Sequence, residues 1–200
     1  MLTDSDIQLM LSFKNGDERA FQQLFDKYKR RVVNFCYRYC GHRAVAEDLS
    51  QETFIRVYRA AATYRPKARF STWLFKIATH VCLNEIRKPL YRARLESIDR
   101  DSDEENAPAR EIAMEPARSM PDMLLETRQH HALVREAMAQ LPEQQRAALL
   151  LRTTEEFSYR EIGRQIRCSE NRVKTLIHRG RKRMKQILGA YWGKNDQESM

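Results

Sequence analysis

Apolar residues recur at three- and four-residue steps through the N-terminal half of the chain, which is the spacing of amphipathic helices. These steps predict three helices. The first begins after the turn Asn15-Gly16-Asp17 and ends at Gly41. The second runs from about 44 to 62. The third is capped by Ser71 and stopped by Pro89. No stretch alternates apolar and polar residues as a strand would, so the pattern predicts an all-α fold.

A segment near the C-terminus, 169–188, combines an apolar helical face with a strongly basic one. The apolar positions are Val173, Leu176, Ile177, Gly180, Met184, Ile187 and Leu188. The opposite positions are Arg172, Lys174, Thr175, His178, Arg179, Arg181 and Lys182. Just upstream, Ser158 begins a short stretch with the pattern of an N-capped helix. Together they predict a helix-turn-helix whose second helix enters the DNA major groove.

The composition favours a polyanionic partner and a reducing environment. The chain has 36 Lys and Arg against 27 Asp and Glu, a formal charge of +9, which suits nucleic acid or an anionic membrane surface. No apolar run approaches the ~20 residues that span a bilayer, so we expect no membrane insertion. The N-terminus lacks the pattern of a signal peptide. The four cysteines fall within predicted helices or at their ends, which predicts a cytoplasmic protein.

The charge is distributed unevenly along the chain. Residues 1–98 hold 18 basic and 10 acidic side chains, 99–126 hold 3 and 9, and 127–200 hold 15 and 8. The middle stretch also contains three of the six prolines and too little apolar content to pack alone. We therefore predict two small helical domains joined by a flexible acidic linker. Their predicted bounds are 1–96 for the N-terminal domain, 97–126 for the linker and 127–192 for the helix-turn-helix domain.

An acidic cluster interrupts the basic N-terminal domain in its second predicted helix. The cluster and its flanking residues are Glu47, Asp48, Leu49, Gln51, Glu52 and Phe54. Asp48 and Glu52 lie one turn apart on the same face, which suits docking of a basic protein helix. The helix dipole also favours acids near a helix N-terminus, and this explanation accounts for Glu47 and Asp48 but less well for Glu52. Both interpretations remain open from these residues alone.

The loop between the second and third predicted helices mixes cations with aromatic residues. Its residues include Tyr64, Arg65, Lys67, Arg69 and Phe70. This mixture suits an unpaired base stacked on a ring, with its phosphates held by Arg and Lys. Aromatic residues at helix starts more often pack in the core, and for Phe70 and Trp73 we favour that interpretation.

The residues that carry chemistry form no recognisable catalytic or metal site. Cys36, Cys40 and His42 offer three zinc ligands, but a fourth is missing and Cys36 falls on an apolar face, so packing is favoured. The paired acids Glu104-Glu105 and Glu155-Glu156 fall in the linker and in a turn, away from any candidate nucleophile. We therefore predict a protein that is not an enzyme and that uses no metal or other cofactor.

Three segments, in this combination and order, resemble bacterial sigma factors of the sigma-70 family. They are AEDLSQETFIRVYRA (46–60), FSTWLFKIATHVCLNEIRK (70–88) and LPEQQRAALLLRTTEEFSYREIGRQI (141–166), followed by the basic helix. The two-domain plan resembles the extracytoplasmic-function (ECF) group. This resemblance implies a protein that binds core RNA polymerase and directs promoter-specific initiation. It would do so by reading the −10 and −35 elements and helping to melt the DNA.

The resemblance also implies roles for individual residues. Docking on the β′ clamp helices of core polymerase falls to Asp48, Leu49, Gln51, Glu52 and Phe54. Recognition and melting of the −10 element fall to Tyr64, Arg65, Lys67, Arg69, Trp73, Lys76, His80, Asn84, Arg87 and Lys88. Recognition of the −35 element falls to Asn171, Arg172, Lys174, Thr175, His178, Arg179, Arg181 and Lys182. Further implied partners are the polymerase β subunit and an anti-sigma factor, and the acidic linker is expected to thread near the RNA path.

Several residues depart from the family pattern. Thr79, His80 and Asn84 stand where the family often has Arg, Asn and Asp, which alters the −10 surface. Arg167 stands where the turn of the helix-turn-helix usually has Gly, and a left-handed conformation there would cost about 1 kcal/mol. Asn171-Arg172 replaces the common Gly-Thr, adding a bulky cation where base edges are read. The promoter preference therefore does not carry over from the family.

One alternative function is a helix-turn-helix regulator that binds duplex DNA without docking on polymerase. Such a regulator would explain the basic C-terminal helix. It would not explain the acidic cluster or the loop of cations and aromatic residues, and it would need a dimer interface or an effector domain.

Overall fold

The computed structural model describes residues 4–89, 91, 130 and 132–198, except for the side chains of 191–198. Every regular element in these residues is helical, which confirms the all-α prediction. The chain divides into two compact units, Met1–Lys88 and Pro89–Met200. The predicted linker, 97–126, lies outside the described residues.

In residues 4–88, the described part of the first unit, there are four α-helices and one short 3₁₀ turn. The helices are α1 (Ser5–Lys14), α2 (Glu18–Cys40), α3 (Arg43–Ala60) and α4 (Phe70–Ile86), and the 3₁₀ turn is Ala61–Thr63. The second unit contains a helical segment at 132–139 followed by α5 (Glu143–Thr153), α6 (Tyr159–Ile166) and α7 (Glu170–Glu198).

Helix α2 has the ends that its sequence predicts. The side chain of Asp17 accepts a hydrogen bond from the backbone N–H of Arg19 at 3.0 Å, which satisfies a donor that the first turn leaves unpaired. Gly41 ends the helix at φ +81°, a left-handed conformation that glycine adopts without steric penalty. The local sequence is sufficient to specify both ends.

Helix α1 was not predicted from the sequence. Its buried apolar residues, Ile7, Met10 and Phe13, follow one another at three-residue steps over little more than two turns. A pattern this short is weak by itself. Asp6 adds a tertiary anchor, because its buried carboxylate accepts from the Tyr28 hydroxyl and pairs with Lys27 Nζ, both at 2.6 Å.

The predicted cap of α4 by Ser71 is wrong. The helix begins at Phe70, and no side chain of its own segment caps it. Instead, the backbone N–H of Phe70 donates to Asp4 Oδ2 at 3.2 Å, so the cap comes from a residue 66 positions earlier in the chain. A local capping pattern cannot reveal a partner at that distance.

Aromatic side chains fill the core of the first unit. Tyr28 and Phe70 pack edge to face at 5.3 Å between ring centroids, and Phe35 and Phe75 do so at 5.4 Å. Both pairs join α2 to α4. Burial of each large apolar side chain contributes about 1.5–3 kcal/mol. This packing fixes α4, and with it the loop that precedes the helix.

The helix-turn-helix in the second unit forms as predicted. Ser158 and Glu161 form a reciprocal capping box at the start of α6. Arg167 adopts the left-handed conformation expected of the turn, with φ 56° and ψ 52°. A Cβ atom on Gly163 would lie 2.7 Å from the carbonyl oxygen of Cys168, so only glycine fits where α6 meets the turn. Helix α7 then runs to Glu198, beyond its predicted end at 188.

Candidate protein and nucleic-acid interfaces

The acidic cluster lies on α3 and divides into an exposed part and a buried part. Asp48 and Gln51 are exposed, and the side chain of Glu52 is partly exposed. Leu49 and Phe54 are only 4% and 5% exposed. The structure therefore corrects the expectation that these two side chains are exposed on a docking surface, although one edge of Phe54 lines the apolar groove described below. They face the core and anchor the helix that presents the polar residues.

Two of the acids in the cluster form local ion pairs. Glu52 Oε1 lies 2.6 Å from Arg56 Nε, and Glu47 Oε1 lies 3.0 Å from Arg43 Nε, each one helical turn away. Exposed pairs at this spacing contribute about 0.3–0.5 kcal/mol. A strongly basic partner can therefore displace the arginines at little energetic cost.

An apolar groove adjoins the acidic residues, and the sequence did not reveal it. The groove has a volume of about 380 Å³ and is lined mainly by Phe21, Phe25, Phe54, Ile55 and Tyr58. Ile55 is 44% exposed and Tyr58 47%, which is unusual for large apolar side chains. Ile55 and Tyr58 follow Gln51 by four and seven residues, so all three lie on the same helical face. This spacing is the feature of the sequence from which an exposed apolar surface could have been predicted.

The loop between the 3₁₀ turn and α4 presents three cations to solvent. Arg65, Lys67 and Arg69 are exposed. In the part of the chain that the structure describes, no carboxylate pairs with any of the three. Three cations without an ion-pair partner over five residues form a surface suited to consecutive phosphates.

Tyr64 does not offer a stacking surface, contrary to the expectation from the sequence. Its side chain is 3% exposed, and its ring packs against Trp73 at 4.8 Å between centroids. Burial, together with the nearby carboxylate of Asp4, raises the pKa of Tyr64 to about 12. The ring contributes to packing, so Trp73, which is half-buried, is the one aromatic candidate left for contact with a base.

The expectation for Phe70 is confirmed, since this side chain is completely buried in the core. Trp73 lies at 5.9 Å from Phe70 between ring centroids and keeps part of its own surface exposed. A half-buried indole can pack and still present an edge to a ligand.

The candidate DNA-contacting residues of α4 and of the two positions after it lie along one strip of the surface. Lys76, Asn84, Arg87 and Lys88 are exposed, and His80 is half-buried. Lys88 Nζ pairs with the buried carboxylate of Glu85 at 2.6 Å. Thr79 is fully buried, and its hydroxyl donates to the carbonyl of Phe75 at 2.7 Å. The departure from the family at position 79 therefore changes the core rather than the surface.

Helix α7 has the two faces that the sequence predicts for its first three turns. All eight candidate residues are exposed: Asn171, Arg172, Lys174, Thr175, His178, Arg179, Arg181 and Lys182. Val173, Leu176, Ile177 and Gly180 are buried. The last three predicted apolar positions, Met184, Ile187 and Leu188, are only half-buried, so the packed part of the helix ends near 180.

Neighbouring helices orient two of the exposed cations on α7. Arg172 Nη2 donates to Gln144 Oε1 on α5 at 3.3 Å. Lys174 Nζ lies 5.8 Å from the ring centroid of Tyr159, at the start of α6, a distance suited to a cation–π contact. Gln144 and Tyr159 were not singled out from the sequence for this purpose, because they are remote from α7 along the chain.

The buried cysteines are packing residues, as predicted for Cys36 and Cys40. Cys82 Sγ lies 3.7 Å from Cys36 Sγ in the core between α2 and α4, and burial raises the pKa of the Cys82 thiol. Among the described residues there is no group of three or more His, Cys, Asp or Glu side chains placed to hold a metal ion. The helices in that part of the chain also include none with the length and apolar character needed to cross a bilayer.

These features define a class of protein: a two-domain, all-helical DNA-binding transcription factor. The family Sigma-70 region 2 matches residues 24–89, and the family Sigma-70, region 4 matches residues 131–184. Both matches fall on the two units described above. The chain belongs to the sigma-70 family, in its extracytoplasmic-function group, and as a sigma factor it directs promoter-specific initiation by RNA polymerase.

Two relatives support this membership along most of the chain. The ECF RNA polymerase sigma factor SigW of Bacillus subtilis is 31% identical over 179 residues, which are 88% of this chain and 92% of that protein. The RNA polymerase sigma-H factor of Pseudomonas aeruginosa is 33% identical over 191 residues, covering 94% of this chain and 96% of the relative.

Solved structures agree on the fold. CnrH in complex with the cytosolic domain of CnrY gives a TM-score of 0.64 at 22% identity, over 94% of this chain and 99% of CnrH. The sigma factor RpoE in complex with the anti-sigma factor NepR, from Bartonella quintana, gives 0.59 at 21% identity, over 84% of this chain and 96% of RpoE.

Proposed function

We propose that the first unit docks on core RNA polymerase through the exposed face of α3. The observation that carries this proposal is an acidic strip, Asp48 and Glu52 with Gln51, on a domain that is otherwise basic. The apolar groove beside Ile55 and Tyr58 continues the same face, so a single surface offers both charge and apolar area. A polymerase helix with basic and apolar residues, such as the β′ clamp helices, fits this surface.

The loop and α4 are proposed to hold the melted −10 strand. The exposed cations are the phosphate ligands, and Trp73 is the aromatic candidate for an unstacked base. The proposed residues are Arg65, Lys67, Arg69, Trp73, Lys76, His80, Asn84, Arg87 and Lys88. Stacking of one base contributes about 1–3 kcal/mol, so capture of the strand can offset part of the free energy of unpairing. Melting by this route requires no ATP hydrolysis by the sigma factor.

The exposed face of α7 is proposed to read the −35 element in the major groove. Its apolar side is buried against α5 and α6, so the polar side is free to face DNA. Residues near the helix start, including Arg172, reach base edges in this arrangement, whereas Arg181 and Lys182 suit phosphates.

Membership of the family also suggests further partners and a cellular compartment for this chain. We propose that the chain works in the cytoplasm, where RNA polymerase acts, and that it has no enzymatic activity of its own. CnrH and RpoE were each solved with a second protein, and RpoE's partner is an anti-sigma factor. An anti-sigma factor and the polymerase β subunit are therefore proposed partners of this chain. The domain bounds 1–96, 97–126 and 127–192 likewise remain proposals.

The experiment that tests this function combines the full chain with core polymerase and a promoter library. Specific initiation from a subset of promoters, measured by sequencing the transcripts, is the expected result. Failure to bind core polymerase would contradict the docking proposal. Tight binding to palindromic duplex DNA without polymerase would instead favour the helix-turn-helix regulator.

A further inference from the structure

The cationic loop is held at both ends by the same helix, α1. Lys14 Nζ, in the last turn of α1, donates to the backbone carbonyl of Tyr64 at 3.1 Å. At the other end, Asp4 Oδ2 accepts from the backbone N–H of Phe70 at 3.2 Å. Between these two anchored residues lies the segment 65–69, which carries the three exposed cations. We call this segment the −10 loop.

Helix α1 is itself fixed against the core. Ile7, Met10 and Phe13 are buried, and the buried carboxylate of Asp6 accepts from Tyr28 and pairs with Lys27 at 2.6 Å. The helix has 10 residues and therefore spans about 15 Å. Its N-cap residue and its last residue hold opposite ends of the loop, so a rigid helix sets the distance between those ends.

The two carboxylate oxygens of Asp4 have separate tasks. Oδ1 accepts from the backbone N–H of Asp6 at 3.1 Å and caps α1. Oδ2 accepts from Phe70 and anchors the loop. Asn and Ser cap helices about as well as Asp, but each offers a single side-chain acceptor oxygen. Capping of α1 alone does not require a carboxylate here, whereas the observed arrangement uses a separate carboxylate oxygen for each of the two helices.

We infer that α1 is a positioning element for capture of the −10 strand, with Asp4 and Lys14 as its positioning residues. By fixing both ends of the −10 loop, they hold its cations at a set spacing before the strand arrives. A pre-ordered loop loses less conformational entropy on binding, which strengthens the complex without a new contact. This inference rests on the proposed role of the loop, and neither residue is itself taken to touch DNA.

The direction in which Asp4→Asn changes the affinity for the −10 strand distinguishes this inference from a purely electrostatic effect. Asp4→Asn removes a negative charge close to a phosphate-binding surface, and charge alone would make binding of a nucleic acid tighter. Loss of the loop anchor makes binding weaker. The two explanations therefore predict opposite directions for the same substitution.

The test measures binding of a fluorescent single-stranded oligonucleotide to holoenzyme assembled from the full chain and core polymerase. The oligonucleotide carries the non-template −10 strand of a promoter selected from the library. Asp4→Asn and Lys14→Met are each expected to weaken binding about three- to tenfold, the usual range for loss of one hydrogen bond. Lys14→Arg, which can still donate to the Tyr64 carbonyl, is expected to restore it.

Matched controls remove the same groups elsewhere. Asp17→Asn changes an N-cap residue that serves only its own helix, and Lys29→Met removes a lysine that pairs with Asp26 on the surface of α2. Both controls, and the affinity of every variant for core polymerase, are expected to match the wild type. Binding is measured below the unfolding temperature of each variant, so that a loss reports the loop and not global unfolding.

Each outcome decides one part of the inference. Unchanged or tighter binding by both Asp4→Asn and Lys14→Met overturns the inference. If Asp4→Asn fails to fold, Asp4→Ser decides the question, because it also removes the negative charge and can still cap α1, so charge and loss of the loop anchor again predict opposite directions. The triple variant Arg65→Ala, Lys67→Ala, Arg69→Ala tests the loop itself: wild-type binding by that variant contradicts the proposed function. A loss there, without any loss in the α1 variants, contradicts only the positioning role.

Discussion

The guanidinium of Arg172 on α7 is held by the side-chain oxygen of Gln144 on α5, at 3.3 Å. This hydrogen bond orients the first cation of the recognition helix, at a position where bulk and charge depart from the family pattern. An arginine oriented in this way suits contact with a guanine edge in the major groove. The position is therefore a candidate determinant of −35 specificity.

Arg172→Ala is expected to weaken binding to the selected −35 sequence by about 1–3 kcal/mol while affecting non-specific duplex much less. The measurement compares the affinity of holoenzyme for the selected −35 duplex with its affinity for a non-specific duplex, both at the same salt concentration. Arg183→Ala, which removes an exposed cation further along α7, is the matched control and should weaken both DNAs to a similar extent. An equal loss on both DNAs for Arg172→Ala would reduce this residue to a phosphate contact.

Reversal of the acidic strip, with Asp48→Lys and Glu52→Lys together, is expected to abolish binding to core polymerase. The helical fold should survive, because both side chains reach the surface and the buried neighbours Leu49 and Phe54 are unchanged. A pull-down with core polymerase and a circular dichroism spectrum measure the two properties. Asp26→Lys, at an exposed acid on α2, controls for the change in net charge. Undiminished core binding by the double variant would rule out this docking face.

Arg167→Gly is expected to raise the free energy of unfolding by about 0.5–1 kcal/mol. Arg167 has φ 56°, and glycine reaches this left-handed conformation without the steric penalty of a side chain. The control is Arg164→Gly, at an exposed site within α6. This substitution should lower the free energy of unfolding by about 1 kcal/mol. Chemical denaturation of both variants gives the comparison. Destabilisation of both would show that Arg167 makes a stabilising interaction of its own.

Tyr64→Phe is expected to leave −10 binding unchanged and to preserve or slightly raise stability. The buried hydroxyl has no hydrogen-bond partner among the described residues, so its removal relieves an unpaired polar group. The pKa of Tyr64 is raised to about 12, above its usual value near 10. The folded state therefore keeps the proton longer, and this residue's contribution to stability falls as pH rises from about 10 to 12. Thermal unfolding between these pH values should show a smaller loss for Tyr64→Phe than for the wild type.

The parts of the fold that could be predicted from the sequence are those that local chemistry determines. Asp17 and Gly41 mark the ends of α2, and Ser158 with Glu161 marks the start of α6, because each cap bonds within its own segment. The cap of α4 could not be predicted, since its acceptor, Asp4, belongs to another helix. Helix α1 was missed for a related reason: its stability depends on contacts with α2 more than on its own short pattern.

The candidate sites show the same division. The exposed face of α7 followed from periodicity, because one side of that helix must pack. Periodicity along α3 placed Asp48 and Glu52 together but did not exclude Leu49 and Phe54 from the surface, and it did not reveal the groove beside Ile55. Tyr64 was misjudged because composition shows that a loop contains an aromatic residue, whereas only tertiary packing shows which way the ring points.

The close approach at Gly163 has a consequence for how promoter preference can change between related proteins. The backbone of α6 meets the backbone of the turn directly, with 2.7 Å between a notional Cβ at 163 and the carbonyl oxygen of Cys168. This close main-chain contact, which requires glycine at 163, sets the path from α6 into α7 together with the buried face of α7. Substitutions along the outer face of α7 can accumulate without tilting the helix. The DNA sequence that α7 recognises can therefore change while the position of α7 in its domain stays the same.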